Sequence, residues 1–461
     1  MIKLSETGFD PANSASVNYK LLQAAADKGG DIYIDEPGVY DIDDTVVLSD
    51  NTSVIFCAGA AIRRQKNSTE NAYVFINKGA YTGEFTENIR ILNMTLICND
   101  VVSDSITQKS KKGIPGLNAH LAFSYIKNLY IDNFQVYDLP AKNFAIQVCS
   151  FENFVMENSR IEGKKDGIHL GRGSKFSIRH CIFKTFDDPI ALNAHDYATS
   201  NPQLGWIQNG IIEDCYDLDD NNGTTGFFCR ILAGSWKKWQ KGMKVQHSDI
   251  VESGGKLYRV FMKPDGAVFK TVTPPSHERG LAVYDGITWC MVQNEVIENC
   301  GCRNIHFKDI FLQKKRLVAF SMHFDKDNYS RSYYPGSNAP VQDNIIFENI
   351  FIQNEIDTFL HTRTPVGNIR IINSDLAKTG FIFKSIKTDG IKYSKTNIFL
   401  SGVSFKDGDT TLIRADDEFD ITLSVNSSIY SAGACPKLIG NITIKEIDIP
   451  LERISSSDLP L

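Results

Sequence analysis

One phrase recurs along this chain: an asparagine, an apolar alternation, a polar or small residue, and a second alternation. It stands as NIRILNMTLI from Asn88, NLYIDNFQVY from Asn128 and NFVMENSRIE from Asn153. It returns as NIHFKDIFLQ from Asn304, NIIFENIFIQ from Asn344, NIRIINSDLA from Asn368 and NIFLSGVSFK from Asn397. In KFSIRHCIFK a lysine, Lys175, takes the leading place. Spacings between successive phrases include 153 − 128 = 25, 175 − 153 = 22 and 368 − 344 = 24 residues. Alternation with period two makes strands that bury one face, and a single repeat of roughly 20–30 residues cannot bury that face alone. The expectation is an all-β chain folded as a right-handed parallel β-helix, a solenoid in which each coil lays its inward residues on the next. Asparagine suits the head of the phrase because it tolerates left-handed backbone at a corner, and amides stacked at successive corners can bond one another.

Two stretches break the pattern. Residues 16–28, SVNYKLLQAAADK, read as an amphipathic helix capped by Ser14 or Ser16 and stopped at Gly29-Gly30. Such a helix would cover the open edges of the first coil. Residues 231–293 lose the asparagine phrase and hold three of the four tryptophans, Trp236, Trp239 and Trp289, among short strands and glycine turns. The words GGKLYRVF, PPSHERG and DGITWCMV in this stretch resemble a small carbohydrate-binding β module found in chitinases and phage tail proteins; a loop-built cap with a tryptophan core is the alternative. The expected division is 1–230, the N-terminal part of the β-helix with its capping helix; 231–293, the small inserted β module; and 294–461, the C-terminal part of the β-helix.

Composition narrows the partners. With 49 basic and 55 acidic residues the formal charge is 49 − 55 = −6, and no long basic run exists to bind nucleic acid. No segment has the roughly 18 apolar residues of a membrane helix, so no membrane span is expected. The opening MIKLSETGFDPANSAS lacks an apolar leader core. The chain is therefore expected to be secreted or periplasmic if a leader was removed, and otherwise cytoplasmic or phage-particle associated. The ten cysteines lack metal-ligand spacing; Cys57, Cys98, Cys149 and Cys181 sit in strand-like runs and read as reduced core residues. Neither a cofactor nor a metal is called for, and oligomeric state is open.

The chemistry concentrates in GKKDGIHLGRGSKFSIRHCIFKTFDDPIALNAHDY, residues 163–197. Aligning KDGIHL on DDPIAL sets Asp166 one coil from Asp188, since 188 − 166 = 22 is one repeat, and Lys165 one coil from Asp187. Neighbouring strands lie about 4.8 Å apart, so Asp166 and Asp188 would crowd on one face. Asp187 would point the other way unless the chain bends before Pro189. Carboxylates this close share a proton near neutrality. Glycoside hydrolysis uses that split state, one acid protonating the leaving oxygen and an ionised partner activating water. Lys165, His169, Arg172, Asn193 and His195 surround the acids in sequence and are candidate substrate-binding residues.

KKDGIHL followed by FDDPIALN resembles the paired TDGID and DDCIAI motifs of glycoside hydrolase family 28, the polygalacturonases, and the spacing 187 − 166 = 21 fits that family. The resemblance implies a pectin-lyase-like β-helix in which Asp188 is the general acid and Asp166 and Asp187 activate water in an inverting reaction. His169 stands where those enzymes carry another aspartate, and Asn193 replaces their lysine, which removes groups that serve galacturonate. DDPIALNAHDY is also similar to the DD…N.HG.Y pattern of family 110, α-1,3-galactosidases that pair a β-helix with an inserted barrel. A neutral or amino-sugar glycoside therefore competes with a uronate.

Later coils offer His323 and Asp325 in SMHFDKD, and His361 and Arg363 in LHTRTP, each just past a strand, as further substrate-binding candidates. His180 reads as structural, and Trp206 as either a sugar platform or a core residue. The expected partner is a carbohydrate substrate. Two other functions stay open. One is a polysaccharide lyase using Lys164, Lys165, Arg172 or Arg363 with Ca²⁺ on the aspartates. The other is a non-catalytic glycan-binding β-helix of the tail-spike or adhesin kind.

Overall fold

The computed structural model describes residues 1–65, 73–102, 113–198, 200–219, 221, 223, 225–405, 411–426, 437–448 and 452–454. It is an all-β right-handed parallel β-helix with an N-terminal helix. The chain divides into two units, Met1–Ala191 with Asn209–Gly226, and Leu192–Gln208 with Phe227–Leu461.

In the first unit each coil pairs in parallel with the next at a register that stacks like on like. Ile89 pairs with Leu129, Leu129 with Phe154, and Phe154 with Phe176, an apolar column exposed by no more than 4% anywhere. A second column runs through Ile91, Ile131, Met156 and Ile178. Each such side chain withdrawn from water contributes about 1.5–3 kcal/mol, and this burial, repeated coil by coil, drives the stacking. The helix Ala15–Lys28 packs on the first strands, with Ser14 at its N-cap position and Gly29 (φ 69°) ending it. It thus begins one residue earlier than the pattern placed it, and the Ser14 side chain makes no capping bond.

The corners are where the asparagines act. Asn88, Asn128 and Asn153 all hold φ near +60° (59°, 58° and 62°), and Lys175 follows them at 61°. The Asn88 amide donates to Asn51 Oδ1 at 2.8 Å, Asn128 to Asn88 at 2.8 Å and Asn153 to Asn128 at 2.9 Å. A second corner file contains Asn93, Asn133, Asn158, His180 and Asp214, all left-handed. His180 is an exposed corner residue bonded to Asp214 at 2.8 Å.

The second unit repeats the device. Ile305, Ile345, Ile369, Ile398 and Leu423 form one buried column, and the Phe307 and Phe347 rings stack at 5.2 Å. Asn344 donates to Asn304 at 3.0 Å and Asn397 to Asn368 at 3.1 Å. Between its coils lies a five-stranded sheet whose members include Ile250–Ser253, Lys256–Val260, Leu281–Tyr284 and Ile287–Gln293. Gly254-Gly255 (φ 56° and 79°) and Asp285-Gly286 (φ 56° and 75°) close its two hairpins, the positive φ values that a two-residue turn requires. Val251, Tyr258, Val260, Ile287 and Trp289 make its core. The solenoid strand before it, Cys229–Leu232, still pairs with Val318–His323.

The nine described cysteines are all free thiols; Cys98, Cys149 and Cys181 are buried and Cys57 is half-buried at a strand end. Cys435 lies outside the described residues. Among those residues no helix is long and apolar enough to cross a membrane.

Candidate active site

The first unit carries the three acids. The strand Ile168–Leu170 pairs with Phe144–Glu157 through Ile146–Ile168, Gln147–His169 and Val148–Leu170. On its other side Gly167 N donates to Asp188 O at 3.0 Å and Ile168 N to Pro189 O at 2.9 Å, which sets Asp166 and Asp188 one coil apart. A side chain at position 167 would meet Pro189 O at 2.6 Å, so this approach needs glycine. The backbone bends at Phe186 and Asp187, pinned by Phe186 N to Gly163 O at 2.8 Å and by Thr185 Oγ1 to Asp187 O at 2.8 Å. One carboxylate oxygen from each of Asp166, Asp187 and Asp188 consequently falls within 4.8 Å of the others.

Lys165 makes this crowding tolerable. Its ammonium donates to Asp166 Oδ1 at 2.9 Å and to Asp187 Oδ2. Burial opposes the charge on Lys165, yet the Asp166 and Asp187 carboxylates outweigh it and hold the lysine pKa above its ordinary value. Asp166 is 0% and Asp188 1% exposed, whereas the Asp187 and Lys165 side chains each keep 24%. His169 stacks on Phe144 (4.2 Å, 16°) with Nδ1 3.4 Å from Asp166 Oδ2, fully buried behind that acid. Gly226 (φ 75°) closes over the acids: a Cβ there would lie 2.3 Å from Asp188 Oδ1 and 2.9 Å from Asp187 Oδ1. The cluster has the geometry to hold a cation, but the Lys165 ammonium already bridges two of its three members.

Beside Asp187 and Lys165 opens a cavity of about 780 Å³, also lined by Tyr137, Glu162, Lys164, Lys184 and Phe186. Tyr137 and Phe186 are 52% and 37% exposed, two rings facing water beside a charged cluster. Of these neighbours only Lys164 was singled out from sequence. Glu162 and Lys184 pair across adjacent coils, so carrying the register back one strand from the acids would have found them. Arg172, by contrast, lies beyond the far end of the strand Ile168–Leu170, which separates it along the chain from Asp166 at the near end.

The second unit gathers the other candidates. Asn193 Nδ2 donates to Asp196 Oδ2 at 2.8 Å, and Arg230 Nη2 reaches the same oxygen at 3.2 Å. Ser321 Oγ links His323 Nδ1 at 2.8 Å to His361 Nδ1 at 3.4 Å, and His323 Nε2 lies 3.5 Å from Asp325 Oδ1. His195 is 1% exposed against Gly234, and neither ring nitrogen has a hydrogen-bond partner among the described residues. Burial, then the Arg259 charge, pushes its pKa down to about 3 against the pull of Asp325. Burial, then Arg363, His323 and Lys384, drives His361 down to about 3 as well. Burial works against ionisation of Asp325, but the His323 bond and charge, with Arg230 and His195, keep its pKa below the usual carboxylate value. Arg363 is exposed at the end of its coil strand, and Trp206 is half-buried under the Arg303 guanidinium (5.1 Å) and against Gly301. Asp196, Arg230 and Ser321 escaped the sequence reading because nothing local marks them; only pairing such as Arg230–Ser321 and Ser321–His361 brings them into one file.

No family model matches the chain, and no curated protein matches it in sequence. Solved structures do match in three dimensions. A hyperthermoactive exopolygalacturonase from Thermotoga maritima aligns over 93% of this chain and 91% of its own, at TM-score 0.53 and 11% identity. PfbA, a surface adhesin of Streptococcus pneumoniae, aligns over 96% and 90%, at TM-score 0.51 and 12% identity. Gene product 12 of bacteriophage phi29, in its pre-mature form, aligns over 99% of this chain and 57% of its own, at TM-score 0.52 and 11% identity. An enzyme, an adhesin and a phage protein thus share this architecture, and the likeness at such identities is one of fold: the chain is a right-handed parallel β-helix.

Proposed function

We propose that this protein is a glycoside hydrolase that cleaves a poly- or oligosaccharide at Asp166, Asp187 and Asp188. The observation that carries the reading is the convergence of these carboxylates around Lys165 at the edge of a cavity flanked by two exposed aromatic rings. Lys165 favours the ionised forms of Asp166 and Asp187. Asp188 is buried beneath Gly226 as deeply as Asp166 is in its own coil, but Lys165 bonds Asp166 and Asp187, so in this reading Asp188 carries the proton and acts as general acid. Asp187, the most exposed of the three, and Asp166 take the proton from the attacking water. Tyr137 and Phe186 supply apolar faces for sugar rings.

The carboxylate oxygens lie closer than the roughly 6.5–9.5 Å common among inverting enzymes. Inversion therefore requires the water to enter from the cavity side of Asp187 rather than between the acids, and the anomer of the first product, read by NMR, tests it; retention would overturn the inverting assignment. A lyase is disfavoured because Lys165, its nearest candidate base, is held protonated by two carboxylates. The deep burial of Asp166 and Asp188 favours one other reading, a glycan-binding β-helix without turnover. A panel of aryl glycosides and polysaccharides, assayed for reducing ends and for near-ultraviolet absorbance, separates the three. Hydrolysis without new absorbance that disappears in Asp188→Asn supports the proposal; hydrolysis unchanged in that variant sinks it.

A further inference from the structure

The stretch inserted between the coils of the second unit carries a charge arrangement that the proposed reaction does not use. Lys244–Gln246 and Val268–Lys270 form an antiparallel ribbon in which Lys244 stands directly opposite Lys270. Residues so placed project to the same face, and like charges directly opposite destabilise a strand pair. The next pair, Val245 and Phe269, turns the other way into the module's core and so fixes this register. Lys241 adds a third cation. Its turn is closed by Met243 N donating to Gln240 O at 3.1 Å, and Gly242 N donates to Thr271 O at 2.7 Å, which holds the turn beside the strand end that bears Lys270. All three lysines are exposed, and none has an ion pair among the described residues.

The acids of the module are engaged elsewhere. Arg331 holds Asp249 (Nε–Oδ1 2.5 Å), Lys238 faces Glu252 at 3.8 Å and Lys263 faces Asp265 at 3.8 Å. Asp285 accepts from Val272 N at 2.7 Å and Thr273 N at 2.6 Å. Residues 237–248, KKWQKGMKVQHS, hold four lysines and no acid in a chain of net charge −6. A ligand bearing repeated negative charges would relieve the Lys244–Lys270 repulsion. One small anion gains little from ammoniums in open water, whereas a polymer that meets three of them at once gains from each. The face also selects the kind of polymer. No aromatic residue of 231–293 is exposed, so the module lacks the stacking rings of single-strand nucleic-acid sites and the aromatic anchors of bilayer surfaces. A hydroxyl-rich chain with spaced acid groups needs neither, and it can lie along Gln246 and the 58% exposed Val268 beside the lysines.

We propose that this lysine face docks an anionic polysaccharide, whose sulfate, phosphate or carboxylate groups meet Lys241, Lys244 and Lys270. The proposal concerns binding alone and stands whether or not the acids of the first unit are catalytic. Fluorescence anisotropy of the full chain in an Asp188→Asn background tests it with labelled dextran sulfate, phosphomannan and polygalacturonate, which separate the three acid groups, and with dextran as the uncharged control. At least one anionic polymer binds at low ionic strength, dextran does not, and the affinity falls as salt is raised. Lys244→Gln and Lys270→Gln each weaken binding about two- to fivefold, and the triple variant with Lys241→Gln weakens it about tenfold or more. Lys20→Gln, the same charge change on the exposed side of the N-terminal helix, leaves binding unchanged. The urea midpoint of Lys244→Gln stays equal to that of the parent or rises, because a repulsion is removed, so lost binding is not lost fold. Binding by none of the anionic polymers, equal binding of dextran, or indifference to the triple substitution overturns the proposal. Tighter binding of single-stranded DNA or of phosphatidylglycerol vesicles than of any polysaccharide overturns it as well.

Discussion

The acid cluster of the first unit and the imidazole cluster of the second solve the same problem in opposite ways. Both set polar groups at coil ends where burial penalises charge. In the first, the register brings unlike charges together, and Lys165 bridges Asp166 and Asp187. In the second, Arg259 acts on His195, and Arg363 and Lys384 act on His361, so burial and positive neighbours leave both imidazoles neutral near pH 7. One cluster keeps its charges by pairing them, and the other gives them up. The proposed reaction is assigned to the first, where three carboxylates converge at the edge of a cavity.

The sharpest way to break this contrast is to compare turnover. Asp188→Asn should cost about 10²- to 10⁴-fold in kcat with circular dichroism unchanged, whereas His361→Asn should change kcat little; equal losses would erase the distinction. Next, Lys165→Met strips the counter-charge from buried Asp166 and should lower unfolding stability by about 3–5 kcal/mol in urea titrations. Adding Asp166→Asn should restore part of it, and a single variant as stable as the wild type would mean the acids do not rely on Lys165.

Acid separates the clusters by sign. His195 and His361 have folded pKa values near 3 against an unfolded value near 6.5, so the unfolded chain binds protons that the fold refuses. Stability should fall as pH drops from about 6.5 toward 3, by up to about 1.4 kcal/mol per pH unit for each histidine. Lys165, whose pKa is raised, contributes fully below the ordinary lysine range and loses its contribution only as pH rises through its elevated value. It therefore adds no slope in the acid window. Urea midpoints for wild type and His361→Asn between pH 7 and 4 check this, and identical slopes would refute the neutral assignment of His361. The smallest effect belongs to the corners both units share. Asn128→Ala should cost about 1–2 kcal/mol more than Asn128→Gly, because alanine strains at φ 58°. Asn128→Gly keeps that backbone and loses only the two amide bonds, about 0.5–1.5 kcal/mol together.

The solenoid and the pairing of its acids were legible because parallel strands convert sequence spacing into distance. A separation of 22 residues placed Asp166 beside Asp188, and the asparagine heads marked corners that hold left-handed backbone and an amide ladder. Where the chain bends, spacing loses that power. The turn at Phe186–Asp187, foreseen only as a possibility, decided that Asp187 joins its neighbours, and nothing local announced Gly226 as the lid over Asp188. Tyr137 and Phe186 beside the acids, and the neutrality of His195 and His361, were likewise invisible.

The sequence by itself determined a β-solenoid with two aspartates stacked one coil apart, because periodicity and register are local rules applied repeatedly. Tertiary structure alone decided which charges are paired and which are extinguished. Burial and the approach of Lys165, Gly226, Arg259 and Arg363 are properties of the packed coils and of no single stretch of chain.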